Sequence, residues 1–285
     1  MPYIELHTRS AFSFLEGASV PEDLIAGGLA LEMPAMALLD RDGFYGAPRF
    51  HLAAKKNGLK AHIGAELKVS GLQSKRIFTL PLLVQTRNGY QNLCRLITLM
   101  KLRVSKHAKP EECVVTPAEL AMHAQGLICL TGMEDGPLGI PNARRWQASD
   151  REKQIETANW LVDVFGKGNI YAELQRHFDR EEEAHNQAIV EIARSLKLPL
   201  LATNGVCHAT PAQRQVILRR LAARGYQFVT LDDAMSDPAY QTKDTVVSKH
   251  GPTWLWRWMK SKRMSVRFDD DPDLPKWVME LYKKD

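Results

Sequence analysis

The sequence predicts an α/β fold, and three observations carry that prediction. Short apolar runs alternate with longer amphipathic stretches through most of the chain. Polar and charged residues cluster where the apolar runs end. The composition, 45% hydrophobic and 25% charged over 285 residues, is that of an ordinary globular protein long enough for a substantial core.

The strand candidates are residues 3–6, 36–40, 62–69, 80–86, 126–131, 169–175 and 199–203. Helix candidates lie between them at 20–31, 48–57, 91–103, 118–123, 150–165, 180–196 and 211–224. Ser19 and Glu22 have the spacing of a capping box ahead of Leu24 and Ile25. Asn57-Gly58 and Arg224-Gly225 suit left-handed helix ends. Seven strands alternating with helices predict a parallel α/β architecture, and an open doubly wound sheet and a closed barrel share that signature. His7 follows the first strand, Asp40 to Asp42 the second, and Glu66 lies within the third. Gln175 to His177 and Thr203 to His208 continue the set, which fits active-site placement at the carboxyl ends of strands.

A formal charge of +5 permits contact with nucleic acid but does not argue for it, because Lys and Arg are spread along the chain. Cys94, Cys113 and Cys129 sit beside apolar neighbours, and no CxxC pair occurs, so reduced and buried thiols are expected. The N-terminus lacks a basic start followed by an apolar run, and no apolar stretch approaches the roughly 20 residues of a membrane span. A cytoplasmic protein without membrane contact is expected. The βα rhythm stops near residue 225. Trp254, Trp256 and Trp258 then precede a basic stretch and the acidic, proline-broken segment 269–275. A first domain over residues 1–215 and an appendage over 216–285 are expected.

Seven blocks, in order, carry a family resemblance: ELHTRSAFSFLEGAS at 5–19, LLDRDGFYG at 38–46, IGAEL at 63–67, NGYQNLCRLI at 88–97, GLICLTG at 126–132, ELQRH at 173–177 and LATNGVC at 201–207. They resemble the PHP (polymerase and histidinol phosphatase) domain that opens C-family bacterial DNA polymerases, the error-prone branch above all. The resemblance implies a distorted, TIM-like barrel of seven βα strands and a role in DNA replication and damage tolerance. It also implies, in active members, up to three metal ions at the barrel mouth for phosphoester hydrolysis, held by His, carboxylate and Cys ligands.

This sequence departs from that ligand ring. His7, Glu16 and Glu66 stand at retained family positions, while Arg9, Arg41, Thr79, Met133, Gly205 and Cys207 stand where the family has ligands. An arginine stays protonated and has no electron pair to donate. No catalytic residue and no bound metal are therefore expected, and Arg9 and Arg41 are expected to pair with the surviving acids and plug the mouth. His177 matches a family position and is read as a ligand, a phosphate contact or a surface histidine. A dyad of Cys207 and His208 is disfavoured because neighbours on a strand face opposite ways.

The family polymerase is several times longer than this chain, so the expected role is a non-catalytic module. Its expected partners are other polymerase domains, replication or translesion factors and DNA. Two alternatives stand beside it. One is a metal-dependent phosphoesterase or 3′–5′ exonuclease using Zn or Mn. The other is a carbohydrate-related protein, because the C-terminal 60 or so residues, through 223–233, 237–240 and 254–258, resemble the end of chitooligosaccharide-type polysaccharide deacetylases, though without that family's catalytic motifs.

Overall fold

The computed structural model describes residues 3–210 apart from 15, 73–75, 106–111, 133, 140–147 and 178–179, together with Gln213. All of these lie in the first of two units, residues 1–218. The helix expected at 211–224, the left-handed end at Gly225 and the deacetylase-like appendage at 216–285 lie outside the described residues, Gln213 excepted.

The fold is α/β. A curled sheet has the order β1 (Ala35–Arg41), β2 (Lys60–Ser70), β3 (Ile77–Val84), β4 (Leu127–Leu130), β5 (Ile170–Leu174) and β6 (Leu200–Ala202). Among the described residues six α-helices connect and cover it: α1 (Pro21–Ala30), α2 (Ala47–Lys56), α3 (Arg87–Leu102), α4 (Pro117–His123), α5 (Ala148–Phe165) and α6 (Arg180–Leu196). Six strands form among the described residues where seven were expected. The segment at 3–6 makes single bridges instead, Glu5 to Met36 on one side and Thr8 to Val206 on the other. It is interrupted because the Glu5 carboxylate accepts the amides of His7 (2.8 Å) and Asn204 (2.9 Å), donors that a regular ladder would use. Bridging both β1 and the chain after β6, it still closes the ring.

The expectation of an all-parallel sheet also fails at one strand. β3 runs antiparallel to both β2 and β4. The link between β2 and β3 spans only residues 71–76, too short for a crossover, so the chain turns back as a hairpin.

Side-chain alternation along the strands separates two environments. Leu67, Leu80, Leu82, Ala172 and Cys129 face outward into the core formed with α3 to α6. Met36 and Leu38 pack with Leu24, Ile25 and Phe50 under α1 and α2. Ala37, Leu39, Leu83 and Leu130 fill the interior of the ring. One step further along the strands, the same inward positions turn polar: Arg41, Glu66 and Glu173. Arg41 and Glu66 are register partners across β1 and β2, so the pairing itself brings them together.

The helix ends correct one expectation. α1 starts after Val20 with no side-chain cap, and Ser19 is fully buried. Its hydroxyl donates to the Gln213 side chain and accepts the Ala209 amide (2.8 Å), tying the stretch after β6 to the N-terminal segment. Glu22 pairs instead with Arg49 (2.7 Å). A capping box does form at α4, between Thr116 and Glu119. Gly58, with φ 73°, ends α2 as its sequence predicts. All four cysteines are free, but only Cys129 is buried; Cys94, Cys113 and Cys207 are half-buried. Among the described residues no helix is long and apolar enough to cross a membrane.

Candidate functional site

The floor of the mouth is built around His7. Its ring sits between Glu66 of β2, which it contacts through Nε2, and Glu173 of β5, 2.6 Å from Nδ1. His7 is 4% exposed, Glu66 2% and Glu173 0%, so each charge has lost almost all of its water. Burial alone would push the imidazole pKa down. The Glu173 and Glu66 carboxylates outweigh it and hold the His7 pKa up, at about 10. Both acids are held below the usual carboxylate range despite burial, chiefly by His7. The group is thus an imidazolium donating from each nitrogen to a carboxylate. Glu173 also accepts the Thr203 hydroxyl (2.5 Å) and the Gln175 amide (2.9 Å).

Above this floor lie the two arginines. Arg9 donates to Glu16 (2.9 Å) and approaches Glu66 at 3.6 Å. Arg41 reaches Glu16 at 2.7 Å and Glu66 at 3.2 Å, and donates to the Thr79 hydroxyl at 2.6 Å. Five of the residues singled out from the sequence, Arg9, Glu16, Arg41, Glu66 and Thr79, therefore meet in one contact network, with His7 beneath it. The cavity left between them is only about 160 Å³, with Glu134 and Asp135 on its rim.

The remaining ring positions are filled differently. Gly205 has φ 55°, and a Cβ there would lie 2.6 Å from Gln175 Oε1, so the Gln175 side chain occupies the space a larger residue would need. The Cys207 thiol donates to the Gly205 carbonyl (3.2 Å). His177 stands apart from His7, exposed, bound to Glu182 (2.5 Å) and donating from Nε2 to the Asn204 carbonyl (2.9 Å). Met133 lies outside the described residues.

Two important residues were named only within their motifs, with no role assigned to either. Glu173 carries a sequence signal: it is the one charged residue in an otherwise uncharged strand, as Glu66 stands between Ala65 and Leu67. Asp40 is the other, a buried clamp that accepts the amides of Ser10 and Gly46 and the hydroxyls of Ser10 and Ser13, at 2.8 to 2.9 Å. It fixes the loop that carries Glu16.

The PHP domain family model matches residues 5–177. The chain belongs to the PHP domain family. It is 37% identical over 220 residues to the error-prone DNA polymerase of Anaeromyxobacter sp. (strain K), covering 75% of this chain and 18% of that one. It is 36% identical over 217 residues to the DNA polymerase III subunit alpha of Caulobacter vibrioides (strain NA1000 / CB15N), covering 73% and 18%. The chain thus spans less than a fifth of the length of these curated relatives. Among solved structures it is similar to an amidohydrolase from Chromobacterium violaceum with bound sulfate and no metal, with TM-score 0.47 and 14% identity over 78% of this chain and 96% of that one.

Proposed function

We propose that this chain is a PHP module of the error-prone polymerase type whose mouth is held by fixed side-chain cations, and that it supports polymerase partners in DNA replication and damage tolerance without hydrolysing phosphoesters itself. The observation that carries this reading is the pair Arg9 and Arg41, both directed at Glu16 and Glu66. Those are the acids that a metal would need. The residues present do not fit the family's metal cluster. Both His7 nitrogens are engaged by carboxylates, and neither guanidinium has an electron pair to offer. A divalent ion about 4 Å from a guanidinium meets roughly 8 kcal/mol of repulsion at an effective dielectric of about 20.

On this reading the partners are other polymerase domains, replication or translesion factors and DNA, and the setting is the cytoplasm. The test is elemental analysis of purified protein after equilibration with Zn and Mn, alongside phosphodiesterase and exonuclease assays. The expected result is less than one equivalent of metal and no hydrolysis. Two or three equivalents, with hydrolysis that a chelator abolishes, would replace the module by a metal-dependent phosphoesterase.

A further inference from the structure

α3 has a buried and an exposed face. Leu93, Leu96 and Met100 point into the core, each fully buried. On the opposite face Arg87, Gln91, Arg95, Thr98 and Leu102 follow at i, i+4, i+8, i+11 and i+15, one exposed stripe about 22 Å long at 1.5 Å per residue. The helix contains no carboxylate, and among the described residues none pairs with Arg87 or Arg95; Arg95 donates to the Asn92 side chain at 3.3 Å. Arg87 is the first helical residue after the Thr86 cap, where the positive end of the helix dipole disfavours a cation. An anion supplied from outside would relieve both the guanidinium and the helix end. The other end of the stripe is apolar. Leu99 is 40% exposed and Leu102 81%. α4 lies antiparallel alongside, tied by Asn92 Nδ2 to the Gln125 carbonyl (2.9 Å) at one end and by Arg103 to Glu119 at the other. Met122, 67% exposed, falls between those ties and widens the apolar end. Lys101 lies off the stripe, near Asp42. None of these residues lines the mouth cavity.

We propose that this face of α3 binds an acidic amphipathic segment of a partner protein, with carboxylates on Arg87 and Arg95 and apolar side chains over Leu99, Leu102 and Met122. The cations set sign and orientation, and the apolar end supplies the anchor that charges alone do not. Nucleic acid would offer phosphates to the arginines but leave the three apolar side chains in water. A second copy of the chain fits less well, because symmetric pairing would set one carboxylate-free helix against another.

The test uses the full chain and a labelled peptide of roughly 18 residues, with Glu on successive turns of one half and Leu on those of the other. A scrambled peptide of the same composition is the control, and binding is read by fluorescence anisotropy. The parent is expected to bind the patterned peptide at least about tenfold more tightly than the scrambled one. Arg87→Glu with Arg95→Glu is expected to weaken that binding by about tenfold or more while the melting temperature holds or rises, since a carboxylate in the first turn suits the dipole. A peptide with Lys in place of Glu should recover the loss on that variant. Leu102→Ser and, separately, Met122→Ser are each expected to weaken binding by about fivefold or more. Equal binding of the two peptides, no recovery with the Lys peptide, or an effect of the charge variants without one from either apolar variant would overturn the proposal. So would displacement of the peptide by an equimolar DNA oligonucleotide, or a dimer of this chain that Leu102→Ser dissociates.

Discussion

His7 Nδ1 lies 2.6 Å from Glu173 Oε1, although 166 residues separate the two in the chain. The contact joins the N-terminal segment to β5 across the ring, and both groups are buried. Glu173→Ala would leave the imidazolium with one carboxylate and strand the Thr203 and Gln175 donors. Removing one partner of a buried pair costs about 3–5 kcal/mol. Chemical denaturation should show a loss of that size, and a loss below about 1 kcal/mol would mean that the pair does not hold the ring closed.

The arginines act at the same place with a different consequence. Arg9→His with Arg41→His restores two imidazoles where the family has ligands and removes two fixed charges. Some Zn affinity should appear by titration calorimetry, against none expected for the parent. No gain would show that the ring is broken beyond these two positions, with Gly205 and Gln175 the first to suspect.

The order of strands and helices was legible because alternation and amphipathic spacing are local. The reversal of β3 was not, since a six-residue link signals a hairpin only when its two strands are known to be neighbours. The Arg9 and Arg41 pairings with Glu16 and Glu66 followed from charge and from the family's geometry. Glu173 was missed because its role depends on a partner at the other end of the chain. Ser19 misled for a related reason: its spacing to Glu22 suits a cap, but burial against Ala209 and Gln213 claims its hydroxyl.

Asp40 clamps the loop that carries Glu16, so its removal should reach the mouth indirectly. Asp40→Ala strands two buried backbone amides and two hydroxyls, and an unsatisfied buried group costs about 1–3 kcal/mol. A loss of at least about 3 kcal/mol is expected in denaturant melts. Hydrogen exchange at Ser10 to Gly17 should speed up more than exchange in β5. Uniform acceleration across the barrel would refute a local clamp.

Gly205 should resist replacement for two separable reasons. Its φ of 55° costs an L-residue about 1–2 kcal/mol, and a Cβ would collide with Gln175. Gly205→Ala should therefore destabilise by more than the backbone strain alone. In a double-mutant cycle with Gln175→Ala, the collision part should vanish and the strain part remain. Strict additivity of the two substitutions would show that Gln175 does not fill that space.

His185 offers a test of pH dependence away from the mouth. It is 7% exposed, and its Nε2 has no hydrogen-bond partner among the described residues. Burial lowers its pKa; Glu182 opposes the shift and Arg76 adds to it. Below pH 6.5 the unfolded chain takes up the proton before the folded one, so stability falls as pH falls through that range. His7 contributes with the opposite sign: its folded pKa is raised, so its contribution is complete below pH 6.5 and is lost as pH rises toward about 10. Melting temperatures of the parent and His185→Gln between about pH 5.5 and 7.5 should diverge toward acid, with the variant the flatter of the two. Parallel curves would mean that His185 takes up its proton in the folded state as readily as in the unfolded one.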